Sequence, residues 1–223
     1  DFVVVGAGYA GLSAALTVAR QGKSVVVLDG GMPGVGASTR NGGICSGQLR
    51  PSLSTLRKKL GAIVANNIYS EGVDARDDLV KFCEDEKIDC QLQMTGRFTG
   101  AISQSDYEMQ CREVEKLNEI TGHRAYMVTK NEQRDEINTN LFFGGMVREE
   151  IGGFHPGKFF AGLLRAAERA GVLVSFNNKV LEILEGKAGV KNVITSMGKI
   201  TAGKVIIATN AYTGQKYNLS LIH

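Results

Sequence analysis

The chain opens with Asp1-Phe2-Val3-Val4-Val5-Gly6-Ala7-Gly8-Tyr9-Ala10-Gly11, and this stretch decides its fold. The run from Phe2 to Val5 is β-branched and aromatic, which is typical of a strand buried on both faces of a parallel sheet. Apolar residues then recur every three to four positions over 12–19, which predicts a helix that stops near Gly22. A second buried strand is predicted over 24–28, and Asp29 follows it directly. This order of elements predicts an α/β fold with a parallel sheet.

Each glycine of the Gly-x-Gly-x-x-Gly turn has a physical task in such a fold. Gly6 permits the tight turn out of the strand, Gly8 lets the backbone approach a pyrophosphate, and Gly11 lets the helix lie close to the sheet. The phosphates would meet free N–H groups at the positive end of the helix dipole. Asp29 follows about 20 residues later, the separation at which a carboxylate accepts hydrogen bonds from a ribose diol. We therefore predict an adenine-dinucleotide site, since a glycine-rich turn that binds nothing leaves this spacing unexplained.

Composition limits the possible partners of the chain. A length of 223 residues with 43% hydrophobic residues is ample for a packed core. The net charge of +3 gives no case for a nucleic-acid partner or an anionic membrane, and the basic cluster at 57–59 is predicted to be a solvated helix face. No apolar run approaches the roughly 18 residues that span a bilayer.

The cysteines give no sign of a metal or redox site. Cys45, Cys83, Cys90 and Cys111 lie far apart and form no Cys-x-x-Cys pair, so we predict neither zinc nor a redox dithiol. Cys83 and Cys111 fall on apolar helical positions and are predicted to be buried thiols. A reducing, cytoplasmic setting fits this pattern best.

A glycine-rich segment follows Asp29, at the place where the chain of a nucleotide fold runs back across its cofactor. Backbone N–H groups of Asn41, Gly42 and Gly43 are expected to face a flat ring. Ser38 and Arg40 are expected to reach phosphate oxygens, although Arg40 is equally suited to bracing the loop.

The segment Gly36-Ala37-Ser38-Thr39-Arg40-Asn41-Gly42-Gly43, behind this fingerprint, resembles the D-amino-acid-oxidase-like family of FAD-dependent oxidoreductases. Its Arg-Asn-Gly-Gly form is most similar to the γ-glutamylputrescine oxidase branch. Val180, and the strand end at 205–212, resemble the family positions that hold adenine and return to the pyrophosphate. The resemblance implies non-covalent FAD, held by Gly6, Gly8, Tyr9, Ala10, Gly11, Asp29, Gly30, Gly36, Ala37, Ser38, Thr39, Arg40, Asn41, Gly42, Gly43, Val180, Ala208, Thr209 and Asn210.

The same resemblance implies a reaction. In the family, a small amine or amino acid loses hydride from the carbon that bears nitrogen to flavin N5, and water hydrolyses the resulting imine. Two alternatives share the early motifs: an FAD dehydrogenase of a hydroxy acid or glycerol phosphate, and a non-catalytic FAD-binding module. A plain NAD-binding module comes third, because it gives the loop at 36–43 no role. No catalytic residue is assigned.

The predicted organisation is a Rossmann-like FAD-binding domain interrupted by an inserted α+β substrate domain, or lid. Residues 1–52 and 151–223 form the FAD-binding domain, which carries an antiparallel β-ribbon over 179–202, and residues 53–150 form the lid. Family members are longer, so we expect the C-terminal part of the enzyme to be missing from this chain. An unfinished sheet exposes edges, which makes a homo-oligomer possible.

Within the lid we predict a helical apolar stripe of Leu53, Leu56, Leu60 and Val64, and a capping box in which Ser105 opens a helix. Three polar residues have competing interpretations. His155 is either an acid–base group or, as we favour, a polar turn residue. Arg97 either binds a substrate carboxylate or, as we favour, is a surface arginine. Cys45 either lies near the flavin or is simply a buried thiol, which we favour.

Overall fold

The computed structural model describes residues 1–122 and 125–213, and these form two compact units. The first unit comprises Asp1–Asn41, Glu86–Cys90 and the described chain from Pro156 onward. The second unit comprises Gly42–Asp85 and the described part of Gln91–His155. No helix of the described chain is long and apolar enough to cross a bilayer.

The elements alternate between strands and helices along the chain. The helices are α1 (Tyr9–Arg20), α2 (Leu53–Leu60), α3 (Ala62–Asp85), α4 (Gln104–Thr121), α5 (Gln133–Glu136) and α6 (Pro156–Arg169). The strands are β1 (Phe2–Val5), β2 (Val25–Leu28), β3 (Ile44–Cys45), β4 (Arg97–Gly100), β5 (Ala125–Thr129), β6 (Gly144–Arg148), β7 (Gly152–Gly153), β8 (Leu173–Ser175), β9 (Val180–Glu185), β10 (Lys191–Thr195), β11 (Gly198–Ala202) and β12 (Lys204–Ile207).

The first unit is built on a parallel sheet of order β12-β1-β2-β8. Strand β1 lies between β2 and β12, with Phe2 opposite both Val25 and Lys204, so its valines are buried on both faces as the sequence predicts. Strands β9, β10 and β11 form the expected antiparallel ribbon. The sheet and the ribbon share one apolar core, made of Val3, Val5, Leu28, Val180, Val193 and Ala202.

Helices α1 and α6 of the first unit are each followed by a glycine, and the end of α1 near Gly22 is the one that the sequence predicts. Helix α1 is followed by Gly22 at φ +75°, whose N–H donates to the Ala19 carbonyl at 2.9 Å. Helix α6 starts at Pro156, where the absent N–H of proline is not needed, and is followed by Gly171 at φ +87°. Both glycines adopt the left-handed conformation that stops a helix at low energetic cost. The α/β fold predicted from the sequence is confirmed.

The second unit combines an antiparallel sheet of order β4-β6-β5, a short β3–β7 pair and helices α2 to α5. Helices α2, α3 and α4 pack together, and α4 also packs on β5 and β6. The resulting core is mostly aliphatic and consists of Leu53, Leu56, Ala65, Tyr69, Val114, Leu117, Ala125 and Met146.

Two details of the second unit differ from the sequence-based expectation. The predicted stripe stops after Leu56, because Gly61 at φ +80° separates α2 from α3 and leaves Leu60 and Val64 nearly half exposed. Helix α4 begins two residues earlier than predicted, since its N-cap is Ser103, whose hydroxyl accepts from the Asp106 N–H at 3.1 Å. Its C-terminus is as predicted, with Gly122 in the left-handed conformation.

Candidate functional site

The turn between β1 and α1 has no room for a side chain at two of its glycines. Gly6 has φ +104°, and a Cβ there would lie 2.6 Å from the Ala208 carbonyl oxygen. A Cβ on Gly11 would lie only 1.9 Å from the Gly6 carbonyl oxygen. The Ala208 N–H in turn donates to the Val5 carbonyl at 2.8 Å. The turn, the first residues of α1 and the end of β12 are therefore held in direct backbone contact.

Gly8 has a different environment, because it faces a loop side chain. It is the N-cap of α1 and, as a glycine, has no side chain of its own to cap the helix. The Tyr9 N–H donates to Ser38 Oγ at 3.0 Å, and a Cβ on Gly8 would lie 3.0 Å from the same oxygen. Ser38 therefore lies at the positive end of the α1 dipole, where N–H groups favour an anionic ligand.

Asp29 connects two turns of the first unit. One carboxylate oxygen accepts from the Ala7 N–H at 2.8 Å, and the other accepts from the Gly31 N–H at 2.9 Å. This structural task was missed in the sequence, which predicted only a ligand contact. Each carboxylate oxygen can accept two hydrogen bonds, so the half-buried Asp29 keeps capacity for a diol.

The loop that carries Ser38 is braced by its own side chains. Residues Ala37–Thr39 form a single 3₁₀ turn, and Asn41 Nδ2 donates to the carbonyls of Ala37 and Ser38 at 3.1 Å. The Thr39 hydroxyl donates to the carbonyls of Gly34 and Gly36. Arg40 follows the turn with an exposed side chain. The side chain of Asn41 therefore shapes the loop. We accordingly expect Asn41 to contact a ligand through its backbone.

Gly42 and Gly43, which complete the predicted cofactor loop, belong to the second unit. Gly43 has φ +64°, and its carbonyl accepts from the Phe154 N–H at 2.8 Å. Cys45 is fully buried in β3, as favoured from the sequence. Cys83 is also buried, whereas Cys111 is only partly so.

The side chain of Tyr9 ties α1 to α6. Its hydroxyl donates to the Pro156 carbonyl at 3.0 Å, and its ring meets the Phe159 ring edge-on at 5.0 Å between centroids. Burial raises the pKa of the Tyr9 phenol, a hydrogen bond with Asn41 lowers it, and the neighbouring Cys90 thiol raises it. The sequence offers no signal for this anchoring role, because the partners lie far along the chain.

The remaining predicted contacts lie around the same sheet. Val180 packs its side chain into the core, so only its backbone is available to a ligand. Gly30 lies beside Lys179, and a Cβ there would meet the Lys179 side chain at 3.4 Å. Beyond β12, the Thr209 hydroxyl is hydrogen-bonded to Thr213, and Asn210 has φ +49°.

No cluster of three metal-binding side chains occurs within residues 1–122 and 125–213. His155 is exposed just before α6. Arg97 is exposed at the start of β4, where its guanidinium donates to Gln48 Oε1 at 3.4 Å. His123 and His223 lie outside the described residues.

The chain has the features of the Rossmann-like α/β class. These are a glycine turn between parallel strands, an acid at the second strand and a loop at the helix N-terminus. The chain belongs to the FAD dependent oxidoreductase (DAO) family, whose model matches residues 1–221. The family predicted from the sequence is thereby confirmed.

Relatives of known sequence and structure agree with this assignment. The chain is 31% identical to gamma-glutamylputrescine oxidoreductase of Escherichia coli, over 97% of this chain and 50% of the relative. It is 28% identical to the probable oxidoreductase OrdL of Haemophilus influenzae, over 95% of this chain and 49% of the relative. The chain thus spans about half the length of these curated relatives. The glycine oxidase structure from Geobacillus kaustophilus has the same fold, with a TM-score of 0.84 at 23% identity, covering 99% of this chain and 59% of that one.

Proposed function

We propose that this chain forms the FAD-binding part of an oxidoreductase that oxidises the C–N bond of a small amine or amino acid. The observation that carries the proposal is the cradle at the start of α1. There the Tyr9 N–H meets Ser38 Oγ at 3.0 Å, Gly8 supplies no Cβ, and Asp29 is anchored beside the same turn through the Ala7 N–H. In dinucleotide-binding folds the pyrophosphate lies at this helix N-terminus, and the acid after the second strand binds the ribose.

The residues present fit FAD. The pyrophosphate would be held by Gly6, Gly8, Tyr9, Ala10 and Gly11. The space beside Ser38 is open for it, because Gly8 has no Cβ to occupy that space. Asp29 would accept from the adenosine ribose with the lone pairs that Ala7 and Gly31 leave open. The backbone at Val180 would hold the adenine. The other proposed contacts are Gly30, Gly36, Ala37, Ser38, Thr39, Arg40, Ala208, Thr209 and Asn210.

Backbone groups of Asn41, Gly42 and Gly43 are proposed to contact the isoalloxazine. The cofactor is proposed to be non-covalent, because the segment 36–43 contains no Cys or His and Cys45 is fully buried. When bound, FAD supplies the hydride acceptor. The described residues would position it and exclude water from its phosphates.

The first unit is proposed to be the cofactor domain and the second unit the substrate domain. Both the E. coli relative and the solved structures similar to this chain carry names of enzymes that act on amines or amino acids, among them L-proline dehydrogenase and L-amino acid deaminase. These names support an amine or amino-acid substrate.

Two measurements on the purified chain test this proposal. We expect paired flavin bands in the visible spectrum, and free FAD in the supernatant after heat denaturation. We further expect glycine, L-proline or γ-glutamylputrescine to bleach these bands without oxygen, with release of imine or ammonia. Bleaching by lactate or glycerol 3-phosphate alone would instead support the hydroxy-acid alternative. Bound FAD that no amine reduces would support the non-catalytic alternative.

A further inference from the structure

The turn that follows β8 runs alongside Asp29 and holds its backbone. The pairing of β2 with β8 ends at Leu28 and Ser175. Past that point the Asp29 N–H donates to the Ser175 carbonyl at 2.9 Å, and the Asn178 N–H donates to the Asp29 carbonyl at 2.9 Å. Both backbone hydrogen-bonding groups of Asp29 are therefore held by Ser175 and Asn178.

The side chains of these two residues are also bonded to each other. Asn178 Nδ2 donates to Ser175 Oγ at 3.2 Å. Asn178 is only 6% exposed, so water has little access to replace this hydrogen bond. Because the bond joins the two ends of the turn, it limits how far the Ser175 carbonyl and the Asn178 N–H can move apart. It therefore acts on the two groups that hold the backbone of Asp29.

The stability of the fold does not by itself explain an asparagine at position 178. Its Oδ1 is buried and has no hydrogen-bond partner among the described residues. A buried acceptor without a partner lowers stability, and an apolar side chain would avoid that cost. The group that this position uses is the amide N–H that reaches Ser175.

The turn also holds the residue that anchors the Asp29 carboxylate. Asn177 has φ +52°, a left-handed conformation that asparagine tolerates better than most residues, and its N–H donates to the Gly31 carbonyl at 2.9 Å. The Gly31 N–H in turn donates to one carboxylate oxygen of Asp29 at 2.9 Å. The position of the carboxylate is thus set through the backbone of Asp29 and through Gly31.

We propose that Ser175 and Asn178 are positioning residues for ribose recognition. Their side-chain hydrogen bond keeps the Asp29 carboxylate where it can accept from the 2′-hydroxyl of an adenosine. A carboxylate that is already in place loses less freedom when the ligand binds, which strengthens binding. The inference rests on the proposed function, in which Asp29 accepts from the adenosine ribose. It assigns the preference for a ribonucleotide over a 2′-deoxyribonucleotide partly to two side chains that act through Asp29.

The test compares ADP with 2′-deoxy-ADP by isothermal titration calorimetry on the FAD-free chain. The unmodified chain should bind ADP about tenfold or more tightly than 2′-deoxy-ADP, because a hydrogen bond to a charged group is lost with the hydroxyl. In Asn178→Ala, we expect the affinity for ADP to fall while that for 2′-deoxy-ADP stays the same, so that their ratio approaches one. A residue with only a structural role would weaken both nucleotides equally.

Ser175→Ala removes the same hydrogen bond at a less buried position, so it tests the inference even if Asn178→Ala fails to fold. We expect the same loss of preference for ADP in this variant. The double variant should be no worse than either single variant, since both substitutions remove one bond.

The matched control is Asn177→Gly, in the same turn. Asn177 is exposed and acts through its backbone N–H, which glycine keeps, and glycine adopts its φ readily. This variant should bind both nucleotides like the unmodified chain.

The inference would be overturned by an unchanged preference for ADP in Asn178→Ala and Ser175→Ala, or by equal losses for both nucleotides. A loss of the preference in Asn177→Gly as well would also overturn it. A chain that shows the expected pattern with ADP but binds no FAD would refute the proposed function alone. A chain that binds FAD and keeps its preference for ADP in both variants would refute only the positioning role.

Discussion

Each unit has a place where glycines let a turn or loop come into backbone contact with another segment. In the first unit, Gly6 and Gly11 close the β1–α1 turn against Ala208, and in the second unit Gly47 lies against Gly72. A Cβ would collide with a carbonyl oxygen at all four of these glycines. The first contact was predicted from the sequence, because its glycines form one local motif between a strand and a helix. The second was not predicted, because its two glycines lie in unrelated segments.

The largest expected effect is that of Gly11→Ala. The new Cβ would lie 1.9 Å from the Gly6 carbonyl oxygen, so β1 and α1 would have to separate. We expect a loss of roughly 3 kcal/mol or more in the free energy of unfolding, at the upper end of overpacking effects. Urea unfolding followed by circular dichroism measures it.

The control for this substitution is Gly36→Ala, because Gly36 has ordinary dihedral angles and a Cβ added there would have no atom within 4 Å. Its free energy of unfolding should change by less than about 1 kcal/mol. A Gly11→Ala chain as stable as the Gly36→Ala chain would show that the turn is not closed as described.

Gly47→Ala should have a smaller effect on stability, because only a loop segment needs to move away from α3. We expect a loss of about 1–3 kcal/mol in the free energy of unfolding, measured by urea denaturation. Gly153→Ala is the control within the same unit, since its Cβ would meet the nearest atom at an ordinary 3.5 Å. A Gly47→Ala chain as stable as the Gly153→Ala chain would show that this segment is not pressed against α3.

Asp29→Asn tests the acid that joins the two turns. An amide has only one acceptor atom, so either the Ala7 or the Gly31 N–H would face a donor instead of an oxygen. We expect a loss of about 1–3 kcal/mol in the free energy of unfolding, measured by urea denaturation, and weaker FAD binding. Asp78→Asn, at an exposed position of α3, should change neither quantity. Unchanged stability in Asp29→Asn would contradict the anchoring role.

The smallest effect concerns the start of α4. Ser103→Ala should lower the free energy of unfolding by about 1 kcal/mol, because the Ser103 hydroxyl caps the Asp106 N–H. Ser105→Ala, inside the helix, should change it by less than about 0.5 kcal/mol. Thermal melts of the two variants compare them directly. A larger loss of stability in Ser105→Ala than in Ser103→Ala would show that Ser105 caps the helix, as the sequence predicted.

These cases separate the structural features that short sequence patterns determine from those that depend on residues distant in sequence. Short patterns predicted the parallel strands, the helix stop at Gly22 and the β-ribbon. Ser103 and Ser105 are both followed by an acid three residues later, so the sequence alone cannot choose between them. The choice depends on where β4 ends, which its pairing with β6 determines.

Some features of the candidate site could likewise be predicted from the sequence, and others could not. The positions at 6–11 and Asp29 could be predicted from spacing, but the anchoring of Asp29 by two N–H groups could not. The Tyr9–Pro156 contact joins residues distant in sequence, and no periodicity or motif connects them.

The most direct measurement is a fluorescence titration of the FAD-free chain with FAD and, separately, with NAD⁺, repeated on Gly8→Ala. Gly8→Ala should fold normally, because its Cβ would meet only the end of the Ser38 side chain. We expect saturable binding of FAD with quenching of its fluorescence, little binding of NAD⁺, and at least tenfold weaker FAD binding by Gly8→Ala. A chain that binds no FAD, or a Gly8→Ala chain that binds FAD unchanged, would contradict a pyrophosphate at the start of α1.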